Sequence, residues 1–209
     1  MAKWAGPNPR SPEINHRMTN HSGRRRVWGN MHRATLAVLG LFLTVAAYGQ
    51  PTDSLQTATA TNLQYADSFV YLLNAGTAST PANGNVCANV YTFVSGSTLA
   101  SCCSCLVTPN GLTSLSVIDN LHSGASSSAT LKIVVSTPAT MAPRCDPTTP
   151  TTANLSTGLR SWLVTFDTPS PNGGAEKTFQ LTTPSSSDLN ATAGACKTLG
   201  AQSCACDTP

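Results

Sequence analysis

Eight cysteines carry the densest chemistry in this sequence: Cys87, Cys102, Cys103, Cys105, Cys145, Cys196, Cys204 and Cys206. Three crowd into Cys102-Cys103-Ser104-Cys105 and two into Cys204-Ala205-Cys206. The C-x-x-C spacing of Cys102 and Cys105 suits three chemistries. Paired thiolates at that distance bind Zn or Cu(I), as in a metal-thiolate protein. In a βαβ unit, with a helix starting at the motif, they make a thiol–disulfide redox pair. In an oxidising compartment they close structural disulfides. The even count favours disulfides, as does the export segment described below. Pro109-Asn110-Gly111 follows closely and leaves no room for the helix of a redox pair. No C-x-x-C-H is present for covalent haem.

Spacing does not choose among the many possible pairings. Successive side chains of an extended backbone point to opposite sides, so Cys102 and Cys103 are expected to find separate partners. The tail after Gly200 is short and polar and cannot anchor itself by burial. At least one disulfide is therefore expected between the 87–105 group and the 196–206 group.

Other catalytic equipment is sparse. After residue 49 the sequence holds one histidine, His122, in Asn120-Leu121-His122-Ser123-Gly124. It reads as a loop residue without the nucleophile and acid of a catalytic triad. His16, His21 and His32 all precede residue 34. Glu176 is the one glutamate after residue 49. Asp146, Asp167 and Asp188 sit beside prolines, threonines or a helix start, where local hydrogen bonding accounts for them. A glycosidase-like carboxylate pair built on Glu176 is the enzymatic alternative. No phosphate-binding loop, G-x-S-x-G, dinucleotide fingerprint or calcium loop is present. Tyr65, Tyr71, Tyr91 and Trp162 have the chemistry of a sugar platform, but their strand positions point to core packing. The expectation is therefore no catalytic residue, no metal and no cofactor.

The elements that position these residues begin with a leader. Residues 34–47 are apolar, too short to span a bilayer, which takes roughly 20 residues. Arg24, Arg25, Arg26 and Arg33 precede the run, and Ala47-Tyr48-Gly49 closes it. Basic flank, apolar centre and small-x-small exit are the parts of a secretory signal, with a cut between Gly49 and Gln50. Met18 and Met31 are alternative starts to Met1, and translation from Met31 would leave an ordinary signal peptide. No cysteine follows the run directly, so a lipid-anchored form is not expected. From Gln50 onward there are five basic and eight acidic residues, a net charge near −3. Such a surface offers no footprint for nucleic acid, and no stable membrane insertion is expected after cleavage.

Residues 50–64 are Thr/Ala-rich and read as a polar linker or a loosely attached first strand, ahead of a domain over 65–209. Period-two patterning then predicts strands over 68–73, 86–94 and 112–118 and around Leu131, Ile133 and Val135. A late hairpin is expected to pair Trp162, Val164 and Phe166 with Phe179 and Leu181 across residues 169–174. A helix is expected after Pro184, with Leu189, Ala193, Cys196 and Leu199 on one face and Gly200 as its stop. The fold class is mainly β: a disulfide-stabilised antiparallel β-sandwich or barrel-like domain with one C-terminal helix.

Val86-Cys87-Ala88-Asn89-Val90-Tyr91-Thr92-Phe93, the run from Cys102 to Leu112 and the terminal Cys204-Ala205-Cys206 together resemble a group of exported cysteine-rich proteins of soil acidobacteria. The resemblance spans roughly residues 65–209. It implies a shared disulfide framework and brings no activity with it. The sequence thus points to an exported, periplasmic or extracellular, non-enzymatic protein of structural or binding role. Its expected partner is an envelope or extracellular protein or glycan. A small carboxylate hydrolase and a metal-thiolate protein are the alternatives.

Overall fold

A computed structural model describes residues 53–78, 80–94, 97–121, 126–139, 144–166 and 174–206. The leader and its expected cleavage site, His122, Asp167 and nearly all of the 169–174 loop lie outside the described residues. Among those described are nine strands and one helix: β1 (Leu55–Thr61), β2 (Phe69–Asn74), β3 (Val86–Val94), β4 (Thr98–Val107), β5 (Leu112–Ser116), β6 (Ser128–Ser136), β7 (Leu159–Phe166), β8 (Gly174–Thr178), β9 (Gln180–Thr182) and α1 (Ser186–Leu199). The strands form two antiparallel sheets, one in the order β4-β3-β6-β1-β9 and one in the order β5-β2-β7-β8.

Alternation along each strand sends one set of side chains between the sheets. Val70 and Leu72 of β2, Leu115 of β5 and Leu159 and Leu163 of β7 come from the smaller sheet. They meet Val86, Ala88 and Val90 of β3 and Leu131, Ile133 and Val135 of β6. Of the two expected architectures, this is the sandwich. Two buried amides tie the sheets together. Gln56 of β1 donates from Nε2 to the Leu159 carbonyl at 2.8 Å and to that of Asp53 at 3.0 Å. Its Oε1 accepts from the Ser161 hydroxyl. Asn74 of β2 donates to the Val107 and Gly84 carbonyls, both at 2.9 Å.

The polar linker expected over 50–64 gives way to β1, paired with β6 along its whole length and with β9 on its other side. Its alternating Thr and Ala residues suit a strand by backbone preference, but they lack the large apolar side chains that mark one. The late hairpin also differs. β7 pairs with β8, placing Thr178 opposite Trp162. Phe179 then turns inward at the crossing between sheets, buried in the central core. Leu181 lies on β9, against β1. The strand expected over 112–118 ends at Ser116. The Asp67 carboxylate there accepts from the Ser116 hydroxyl and, at 3.0 Å, from the Ile118 amide.

Helix α1 lies over the outer face of the larger sheet. Ser185 caps it by accepting from the Asp188 amide at 3.1 Å. Asp188, in the first turn, meets Lys132 of β6 at 3.1 Å. Leu189 and Cys196 pack with Leu55, Tyr91, Cys102 and Val134 in a second buried cluster. Leu199, expected on that face, is 45% exposed instead. It is the last helical residue, immediately before Gly200, whose φ of +89° ends the helix. β3 and the Val134 end of β6 are consequently covered on both faces.

Candidate functional site

Pairing of β4 with β3 puts the cysteine cluster on an extended strand, and alternation then sorts it. Cys103 and Cys105 turn into the core between the sheets, and Cys102 turns outward beneath the helix. Each finds a separate partner: Cys102–Cys196, Cys103–Cys204 and Cys105–Cys206, with Cα separations of 5.7, 5.3 and 5.7 Å. The tail follows β4 in the same chain direction, and the Gln202 amide donates to the Cys102 carbonyl at 2.9 Å. The expected staple is therefore present three times. The fourth bridge, Cys87–Cys145, fastens the segment around Asp146 over the end of β3.

The sulfurs of Cys105, Cys204 and Cys206 lie within 4.8 Å of one another. This is the convergence a thiolate metal site requires, but these sulfurs belong to two adjacent disulfides and no cysteine is free. A thiolate donor needs an unbonded sulfur, so the cluster holds the chain together in this state.

Beside Cys87–Cys145 lies an open cleft of about 1070 Å³. Ser104 and Ser136 of its lining are joined in a row through buried Asn89: the Ser104 hydroxyl donates to Asn89 Oδ1, and Asn89 Nδ2 donates to the Ser136 hydroxyl and the Val134 carbonyl, both at 2.9 Å. Arg144 and Asp146 are its charged residues. Asp146 accepts from the amide and hydroxyl of Thr148 at 2.8 and 2.7 Å, the turn role expected of it. Ser104 has an amide rather than a base as its acceptor, so the row lacks an activated nucleophile.

Tyr91, 1% exposed, underlies the same segment and donates its hydroxyl to the Pro147 carbonyl at 2.6 Å. Burial, with the nearby Asp146 charge, pushes its phenol well above the usual tyrosine value. The unfolded tyrosine ionises near pH 10, so this contribution to stability is complete below that pH. It fades as pH rises toward the higher folded value. Urea midpoints of the oxidised protein are expected to fall above about pH 10, and to fall less in Tyr91→Phe. An identical fall in both proteins would exclude Tyr91 as a source.

The described carboxylates do not converge. Asp53 accepts from the Gly158 amide at 3.1 Å, Asp67 serves the Ser116–Ile118 turn and Asp188 pairs with Lys132. Glu176 stands exposed on the edge strand β8.

The aromatics take three fates. Tyr91 is core, Tyr65 is 67% exposed, and Tyr71 and Trp162 occupy the outer face of the smaller sheet. Their rings are stacked, with centroids 5.2 Å apart and planes 7° from parallel. Phe69 and Phe166 meet edge to face on the same side at 6.5 Å. Gly174, opposite Phe166, makes room: a Cβ there would stand 3.1 Å from the ring. Leu73, Leu112 and Val164 extend this apolar face by strand register. Core burial, expected for all four candidate platform residues, thus holds only for Tyr91. Helix α1 lies over the other sheet and the bridged tail runs along its β4 edge, so Tyr71 and Trp162 stand half-buried on a face that no described element covers. Comparison with protein-family models, curated proteins and solved structures gives no match.

Proposed function

We propose that this protein is an exported, non-enzymatic binding or structural component of the cell envelope or its surroundings, working through the aromatic outer face of the β5-β2-β7-β8 sheet. The observation that carries the reading is the asymmetry of the sandwich. The larger sheet carries helix α1 on its outer face over Tyr91, Cys102 and Val134, and the bridged tail runs along its β4 edge. The smaller sheet leaves Phe69, Tyr71, Trp162 and Phe166 on a face that no described element covers. Four disulfides belong to an oxidising compartment. The resemblance at the two cysteine clusters supports the same compartment. Among the described residues no helix is long and apolar enough to cross a membrane.

The test is sedimentation of the oxidised protein with envelope material of the producing cell. Retention is expected, and Val164→Glu, which places a charge in the centre of the face, is expected to reduce it at least tenfold. Thr148→Glu, on the opposite side of the sandwich, is expected to leave it unchanged. Absence of retention, or equal retention by all three proteins, overturns the reading. N-terminal sequencing of exported material is expected to begin at Gln50. A retained 31–47 segment would instead make the protein membrane-anchored.

A further inference from the structure

We propose that the slot between Trp162 and the edge strand β8 binds a pyranose unit of a neutral oligosaccharide. The proposal rests on the reading of the open face as the contact surface and names what that face takes. Ring separation of 5.2 Å at 7° is close to the spacing of neighbouring strands, about 4.8 Å. Tyr71 and Trp162 therefore stand side by side on β2 and β7, each covering one face of the other. The second face of the Trp162 indole is turned toward β8. Directly opposite it in register is Thr178, short and exposed, and two residues away on the same side of β8 is Glu176, also exposed. Among the described residues β8 is the sheet edge, so no further described strand closes the slot.

These three groups match one ligand chemistry. The electron-rich indole face packs against the C–H face of a pyranose. A carboxylate at its rim accepts two neighbouring sugar hydroxyls, and the threonine hydroxyl both donates and accepts. Among the described residues Arg160 and Glu176 are the charged residues directed to this face by register, one of each sign, so the face favours neither polyanions nor polycations. A nucleotide would also stack on the indole, but its phosphate would meet Glu176 without a cluster of basic residues to hold it.

The experiment uses the full chain with Trp4→Phe and Trp28→Phe, which leaves Trp162 as the sole tryptophan. Cellotetraose, maltotetraose and N-acetylchitotetraose are titrated while its fluorescence is followed. In parallel, sedimentation is repeated with envelope material treated with periodate or with protease. Expected are a saturable fluorescence change with at least one tetrasaccharide and loss of retention after periodate but not protease. Glu176→Gln is expected to weaken binding about tenfold or more with an unchanged unfolding midpoint, and Thr178→Val to weaken it in the same direction. Retention that survives periodate and is lost after protease overturns the glycan in favour of a protein partner while leaving the open face in place. Sugar binding that Glu176→Gln and Thr178→Val leave untouched overturns the slot. If Val164→Glu also leaves retention intact, the contact-surface reading falls with it.

Discussion

Replacing Cys103 and Cys204 with alanine is expected to lower stability by about 2 kcal/mol, whereas losing all three tail bridges is expected to unfold the C-terminal region altogether. The chain-entropy model assigns a lone bridge closing a loop of 94 or 101 residues about 4.7 kcal/mol. These three bridges close nearly the same loop. While Cys102–Cys196 and Cys105–Cys206 remain, the path from residue 103 to residue 204 in the unfolded chain passes through only a few residues. Removing that bridge frees a short loop, worth about 2 kcal/mol. The last bridge to go frees the whole segment and carries the larger figure. Guanidinium midpoints of single, double and triple bridge deletions should therefore drop by unequal steps, the largest last, whichever order is chosen. Equal steps, or a first step as large as the last, would show that the bridges act by native-state packing rather than by restricting the unfolded chain.

Gln56→Leu is expected to destabilise the domain by about 3 kcal/mol although it preserves size and adds apolar surface. The amide is fully buried and serves the Leu159 carbonyl, the Asp53 carbonyl and the Ser161 hydroxyl at once. Leucine leaves the buried Leu159 carbonyl unpaired and takes a partner from the half-buried Asp53 carbonyl and Ser161 hydroxyl, and a buried group left unpaired carries a penalty of about 1–3 kcal/mol. Ser161→Ala in the same background should recover part of the loss by removing one of them. Urea denaturation with the disulfides intact decides it. A loss under about 1 kcal/mol would show that water replaces the amide.

Gln56 also shows where the sequence was opaque. A glutamine among threonines and alanines reads as surface, and its burial follows from β7 crossing over β1, a contact between residues more than a hundred positions apart. Where large apolar residues alternate, as in β2, β3 and β6, the strands were legible and close to their observed bounds. The hairpin after Trp162 was misplaced because Phe179 looked like a strand residue, whereas it is the corner at which the chain changes sheets. Alternation told which residues of β4 share a side, and hence that Cys102 and Cys103 part company. It did not tell which cysteines of the tail would answer them. The fate of Tyr71 and Trp162 was hidden for a related reason. Period two groups residues on one face of a sheet, but only the placement of α1 decides which sheet is covered.

The pairing of β4 with the final residues also constrains how the protein is made. A chain delivered N-terminus first exposes Cys102, Cys103 and Cys105 some 94 to 101 residues before their partners. At ordinary synthesis rates that interval lasts roughly 5–20 s, long enough for thiols to oxidise where disulfides form in seconds. The cysteines within reach during it are Cys87, Cys145 and one another, and three of the four native bridges still lack one of their cysteines. Maturation is therefore expected to pass through non-native disulfides that thiolate exchange must undo once the last segment arrives. The yield of native protein should depend on a disulfide isomerase far more than that of a domain whose bridges close between neighbours in the chain.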